Sequence, residues 1–190
     1  MIIALDATEA AYPEPTGTGI YSRKLIAALA ARRPKASSPD SRLVLCLRIG
    51  PYLKWGRTRR WPEGCAASPF WEPWLPPCPA ALFHGLNQRL PQRHYPVRVV
   101  TLHDLFPLTS TEYSTPSFQR RFTKILRDAV ARADRIIAVS EATRQQLLRH
   151  TEAREERIRV IHHGVEPISP ATTEEQQAFR KQVLGFERNE

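Results

Sequence analysis

The stretch VRVVTLHDLFPL, residues 97–108, decides the fold. Val97, Val99, Val100 and Leu102 form a short β-branched, apolar run with almost no polar face, the composition of a strand covered on both sides within a parallel sheet. Such a strand is central. His103 and Asp104 follow at once, so the chain delivers an imidazole and a carboxylate at the carboxyl end of that strand, where open α/β sheets place their ligand crevice. On the dipeptide alone two readings stand: a pair that does chemistry, or an aspartate that caps a turn above a packed histidine.

Toward the N-terminus, residues 1–6 (MIIALD) read as a short buried strand and residues 7–16 as a loop with two prolines. Gly17-Thr18-Gly19-Ile20-Tyr21 then opens a helix whose apolar positions Tyr21, Leu25, Ala28 and Leu29 fall at i, i+4, i+7 and i+8, with Pro34 ending it. A strand, a glycine loop and a helix N-terminus together suit an anion: glycines let the backbone approach closely, and free N–H groups face the negative charge. A tight turn that needs positive φ explains the same glycines. The third glycine of the dinucleotide fingerprint is missing and no Gly-Lys-Ser/Thr follows, which excludes an NAD-type Rossmann signature and a P-loop. Residues 42–49 (RLVLCLRI) read as a second strand, parallel to the first because a helix connects them. Between Gly50 and Pro79 no period holds, and Trp55, Trp61, Trp71 and Trp74 all fall there. Residues 54–61 (KWGRTRRW) mix cations and aromatics as membrane-interface or phosphate-contact surfaces do, or else form a solvated loop with its tryptophans tucked inward. Residues 80–85 (AALFHG) are a strand candidate ending in His84, with Asn87 in the loop beyond.

Toward the C-terminus, residues 116–133 carry the clearest helical period, with Phe118, Phe122, Ile125, Leu126, Ala129, Val130 and Ala133 on one face and arginines opposite. Residues 134–139 (DRIIAV) are another strand, and Ser140 is placed to cap a helix over 141–150. Residues 157–161 (RIRVI) make a final strand, and His162-His163-Gly164-Val165-Glu166 is its exit loop. Adjacent histidines on a strand end point to opposite faces and no third ligand is suitably spaced, so no metal site is expected. Pro167 and Pro170 mark a linker. Beyond it Thr173 and Gln176 form a capping box for a last helix with Phe179, Val183 and Leu184 on one side and Gly185 closing it.

The chain of 190 residues, 42% of them hydrophobic, is long enough for one sizeable core. No apolar run nears the ~20 residues of a membrane span, and the N-terminus lacks the basic start of a secretory signal, so a soluble cytoplasmic chain is expected. Cys46, Cys65 and Cys78 are odd in number and have no CxxC spacing, which points to reduced thiols. A formal charge of +9 favours anionic partners or a solvated basic exterior.

Five stretches in order, GTGIY, FHGLN, VVTLHDLFPL, ARADRIIAVSEATRQQL and ERIRVIHHGVE, resemble the N-terminal half of a GT-B glycosyltransferase of the family 4 (group 1) type. The resemblance covers residues 1–166. It implies a Rossmann-like α/β domain, an open parallel sheet with helices on both faces, followed from residue 167 to 190 by a linker and a helix leading toward a donor-binding domain. It further implies retaining transfer from a nucleotide-sugar donor to a glycan or lipid-linked acceptor, with no metal or other cofactor. Carried onto this chain, Gly17 and Gly19 would lie against the donor diphosphate or the transferring sugar. His103 would contact the sugar near the reacting centre, Asp104 would orient its loop, and Ser140 would stand at the cleft. Tyr21, Asn87 and Gly164 complete the candidate donor or acceptor contacts. Where the family has Asn-Gly-Val-Asp, this chain has His163-Gly164-Val165-Glu166. A 190-residue piece is expected to be inactive alone, and peripheral membrane contact through 54–61 is expected to bring it to a lipid-linked acceptor. The alternative is a non-catalytic basic α/β module that docks on a membrane surface or nucleic acid. Nucleic acid ranks low, because no recognition helix or aromatic-basic strand motif is present.

Overall fold

The computed structural model describes residues 1–32, 42–109, 112, 114–165 and 170–184. Among them, strands β1 (Ile2–Asp6), β2 (Arg42–Arg48), β3 (Cys65–Phe70), β4 (Leu82–Gly85), β5 (Val97–Leu102), β6 (Arg135–Ala138) and β7 (Ile158–Val160) form one sheet in the order β3-β2-β1-β4-β5-β6-β7. Every pairing is parallel. The expected open parallel sheet is therefore what this chain builds. Its order reverses between β1 and β4, which places the crevice at the carboxyl ends of those strands.

Alternation along each strand sends its residues to two cores. Leu5, Leu43, Leu45 and Leu47 pack on one face with Ala10 and Ala11 of α1 (Thr8–Ala11) and Ile26 of α2 (Gly17–Ala31). A short helix, α3 (Ile49–Pro51), widens into a π turn over Tyr52–Gly56 and closes that layer through Tyr52. Ala4, Cys46, Phe83, Val100, Leu102 and Ile136 turn to the other face. They meet Phe122, Leu126, Ala129 and Val130 of a long helix and Leu147 of the next. The helices beyond β5 are α4 (Phe106–Thr109), α5 (Pro116–Arg132), α6 (Glu141–His150) and α7 (Thr173–Phe179). Burying each of the large side chains in these cores contributes about 1.5–3 kcal/mol, which is why α5, with four core residues, needs no exceptional helix propensity.

Several details depart from the sequence reading, each for a physical reason. The expected loop at 7–16 contains α1, because the Asp6 carboxylate accepts the N–H of Thr8 at 3.1 Å and its hydroxyl at 2.6 Å and so starts a helical turn. In α2 the buried residues are Gly19, Ser22 and Ile26, while Ala28 and Leu29 face outward. Close contact of Gly19 with α1 rotates the helix off the phase that its larger residues suggest. β3 was hidden by Pro69, which a strand tolerates at a sheet edge, and β3 is the edge strand. The last capping box is Thr172 with Glu175, one residue before the expected pair. Phe118 is exposed at the start of α5, where the helix overhangs the core. Pro34, Glu166, Pro167 and Gly185, and with them the expected boundary at 166/167, lie outside the described residues.

Candidate functional site

Beyond the end of β5 the chain turns sharply and half-buries His103. Its Nε2 lies 3.0 Å from the carbonyl oxygen of Leu86. A carbonyl only accepts, so Nε2 carries the hydrogen and Nδ1 of the neutral ring is left as an acceptor. Burial holds the His103 pKa below the ordinary histidine value; His163 acts in the same direction, and the Leu86 bond and Asp104 oppose it. The ring is therefore neutral at pH 7. From the other side Thr143 donates its hydroxyl to the His103 carbonyl at 3.1 Å, while the Thr143 N–H donates to Ser140 Oγ at 3.0 Å. Ser140 is the N-cap of α6, as the sequence suggests, and through Thr143 that cap reaches the histidine.

Tyr21, on the second turn of α2, meets His103 edge-on with ring centroids 4.8 Å apart, and it stacks on His163 at 4.8 Å. The two imidazoles are themselves 5.2 Å apart. Behind them the Tyr21 hydroxyl lies 3.3 Å from Thr101 Oγ1, which lies 2.8 Å from Nε2 of the buried His84. Burial lowers the pKa of His84 to about 4. Burial also raises that of Tyr21. Three aromatic rings from α2, β5 and the exit loop of β7 thus share one cluster, braced by a polar line inside the sheet. Nothing local in the sequence brings His163 to Tyr21 or pairs Thr101 with His84. A hydroxyl within the apolar run of β5 was the available signal, since a buried hydroxyl requires a partner.

The glycine loop divides into two roles. A Cβ on Gly17 would meet nothing within 4 Å, whereas one on Gly19 would lie 2.7 Å from both the Glu9 carbonyl oxygen and Pro15 Cβ. Gly19 is thus filled by its own chain, and Gly17 alone borders open space. Positive φ is not the reason for either glycine; among the described residues that conformation occurs at Gly64. The cap position Thr16 makes no side-chain bond to the α2 backbone, while Thr115, Ser140 and Thr172 all cap theirs. The first N–H groups of α2 accordingly have no capping oxygen.

The remaining candidates lie around the same edge. Asp104 Oδ1 accepts the Phe106 N–H at 3.1 Å, so one oxygen of this exposed carboxylate caps α4. Asn87 is half-buried in the turn that follows Leu86, and Gly164 is exposed beside His163 with open space around it. In 54–61 the tryptophans turn inward: Trp55 packs on Tyr12 at 4.8 Å, and Trp61 Nε1 donates to the Gly56 carbonyl at 3.0 Å. Lys54, Arg57 and Arg60 stay exposed. No helix of the described residues is long and apolar enough to cross a membrane. On the far side of the sheet Cys46 Sγ lies 3.8 Å from Cys78 Sγ, both as thiols.

Residues 75–168 match the sequence profile described as Glycosyltransferase Family 4. Among solved structures, the sucrose-phosphate synthase of Thermosynechococcus elongatus superposes with a TM-score of 0.62 at 16% identity, over 98% of this chain and 53% of its own. HepE of Anabaena, solved with UDP and with UDP-glucose, superposes with a TM-score of 0.50 at 16% identity; it is matched over 97% of this chain and 50% of its own in the UDP structure. These likenesses concern the fold, and the chain spans about half the length of the solved structures it matches. A search of curated proteins gives no match.

Proposed function

We propose, from the match of residues 75–168 to the Glycosyltransferase Family 4 profile, that the chain forms the acceptor-side half of an enzyme that moves a sugar from a nucleotide-sugar donor to a glycan or lipid-linked acceptor. The observation that carries this reading is the convergence of the uncapped N-terminus of α2 with the Tyr21–His103–His163 cluster at the edge where the strand order reverses. A departing nucleotide diphosphate gains negative charge, and preorganised N–H groups at a helix N-terminus stabilise it without reorganisation. Gly17, which leaves open space above those groups, admits the diphosphate or the transferring sugar.

His103 then takes the role of a sugar contact. Its Nε2 hydrogen is held by Leu86, so Nδ1 accepts from a sugar hydroxyl, and Thr143 with Ser140 keeps the ring from drifting. Asn87 and Gly164 border the same space as contacts for donor or acceptor. Transfer proceeds with retention of anomeric configuration, as expected for the family, and the complementary donor-binding half follows the linker beyond residue 166. HepE is crystallised with UDP-glucose, which makes that donor the first to try. Cytoplasmic location with contact at the inner membrane face fits a lipid-linked acceptor, and Lys54, Arg57 and Arg60 would make the contact at 54–61 an electrostatic one.

The experiment is acceptor-dependent release of UDP from UDP-glucose by the longest natural reading frame that contains this chain, with the anomeric configuration of the product read by NMR. An inverted product removes the retaining mechanism. Full activity in His103→Ala removes the histidine from the site. The 190-residue chain alone is expected to release no UDP.

A further inference from the structure

Two thiols that take no part in the site meet on the sheet face that α5 covers. Cys46 lies in β2, paired to β1 on one side and β3 on the other, and has no exposed surface. Its Sγ is 3.8 Å from the Sγ of Cys78. Cys78 belongs to the connection from β3 to β4 and is only half-buried, with the exposed Pro79 beside it. That connection is anchored: the Tyr95 hydroxyl donates to the Cys78 carbonyl at 2.9 Å, and Glu72 Oε1 accepts the N–H groups of Gln92 at 2.6 Å and Arg93 at 3.2 Å. The third cysteine, Cys65 of β3, packs with the core on the opposite face, so the sheet itself separates it from the pair.

The two sulfurs are unequal in access. A reagent from solvent reaches Cys78 first, since Cys46 is sealed within the core. The hydrogen bond from Cys46, with the Arg93 cation assisting, favours the Cys78 thiolate, and the thiolate is the nucleophile in thiol oxidation. An exposed reactive thiol with a second thiol in contact behind it is the arrangement that ends in a disulfide rather than in irreversible acids. A disulfide needs its sulfurs ~2.05 Å apart, so the pair must close from 3.8 Å. Cys46 is fixed by strand pairing on both sides, and Cys78, outside the sheet, supplies the movement.

We propose that Cys78 is a site of reversible oxidation by hydroperoxides, with Cys46, in contact behind it, as the resolving thiol. The Cys78 sulfur attacks one peroxide oxygen and the O–O bond breaks; Cys78 becomes a sulfenic acid, and the departing hydroxide takes up the proton that the thiol released, leaving as water. The Cys46 sulfur then attacks the Cys78 sulfur. The S–S bond forms, the S–O bond breaks, and the Cys46 proton leaves with the hydroxide as a second water. Two thiols thus lose two electrons and two protons to one peroxide. The bridge staples the β3–β4 connection to β2, and an external thiol reopens it. The modification is independent of the sugar-transfer reading.

The test treats the 190-residue chain, fully reduced and then freed of reductant, with an equimolar amount of hydrogen peroxide. Remaining thiols are blocked with N-ethylmaleimide, and the digest is read without reduction by mass spectrometry. The expected product is a Cys46–Cys78 linked peptide, lighter than its two parts by two hydrogen atoms and lost on adding dithiothreitol, with Cys65 recovered as its maleimide adduct. In Cys46→Ala no bridge can form, and dimedone should trap the sulfenic acid at Cys78. Cys78→Ser should leave Cys46 unoxidised, and Cys65→Ala should give the parent's yield of bridge. Closing the loop of residues 46–78 should raise the melting temperature of the oxidised chain by roughly 5 °C or more over the reduced one. A bridge through Cys65, a disulfide between two chains, or all three thiols recovered as adducts overturns the assignment. An oxidised chain that melts no higher than the reduced one overturns it as well, because the bridge would then not fit the native fold. The parent chain alone decides these outcomes, so a variant that fails to fold does not shield the proposal.

Discussion

The hydroxyl of Thr143 donates to the carbonyl oxygen of His103 at 3.1 Å, across the gap between the start of α6 and the end of β5. One residue thus serves two structures, because its own N–H is taken by the Ser140 cap at 3.0 Å. The helix cap and the placement of the histidine are coupled. Ser140→Ala should cost about 1 kcal/mol of stability, the usual size of a lost N-cap. Thr143→Val keeps the shape of the side chain, leaves the cap oxygen in place and frees the His103 carbonyl. We expect it to lower kcat/KM of the whole enzyme more than its melting temperature implies, and equal stability and activity losses in both variants would remove the coupling.

Acid should weaken the fold through His84. Its folded pKa of about 4 lies below the ordinary value of 6.5 because the ring is buried against Thr101. The unfolded chain therefore binds the extra proton first as pH falls. The stability owed to the neutral ring is complete above 6.5 and declines as pH falls from 6.5 toward 4, the loss reaching roughly 3 kcal/mol at the lower limit. His103, lowered also by burial, adds in the same direction. Urea unfolding at pH 7.5 and pH 5 measures the slope, and His84→Gln, which can still bond Thr101, should flatten it. An unchanged slope in that variant would assign the acid sensitivity elsewhere.

Much of this was legible in the chain, and the illegible parts have common causes. The run through Val97, Val99, Val100 and Leu102 announces a central strand because only Arg98, near its start, and Thr101 interrupt its apolar pattern. Phe122, Leu126, Ala129 and Val130 announce α5 for the same reason. β3 was silent because Pro69 and Ser68 erase strand propensity, and only the edge position, a tertiary fact, permits them. The phase of α2 was misleading because Gly19 has no side chain to signal the closest contact of the helix. In the site, His103 and Ser140 stand out as residues next to element ends, a local property. The meeting of Tyr21 with His163 depends on strand order, which no local pattern records.

The paired thiols differ in reactivity. The hydrogen bond from Cys46 lowers the pKa of Cys78 to about 7, with Arg93 assisting, while burial and that same bond push Cys46 up. At pH 7.5 a substantial share of Cys78 is thiolate. Iodoacetamide should therefore alkylate Cys78 well before Cys46, as read by mass spectrometry of the digested chain. Cys46→Ala removes the donor and should slow labelling of Cys78. Equal rates at the two sulfurs would show that the contact at 3.8 Å does not bias their ionisation.

The two glycines of the loop give the sharpest separation of packing from binding. Gly19→Ala drives a methyl to 2.7 Å from the Glu9 carbonyl oxygen and Pro15 Cβ, and neither backbone nor proline ring can yield cheaply. Loss of about 1–3 kcal/mol follows from such overpacking, with α2 displaced from α1. Gly17→Ala meets no atom within 4 Å and lies at the first position of a helix, so stability should stay within about 1 kcal/mol of the parent or rise. If Gly17 leaves space for a diphosphate above the α2 N-terminus, the added methyl occupies that space. UDP titrated into the whole enzyme should then bind Gly17→Ala at least about tenfold more weakly, a loss of some 1.4 kcal/mol with the fold intact. Unchanged UDP affinity in a fully folded Gly17→Ala would move the diphosphate away from this helix and leave Gly17 without a part in binding.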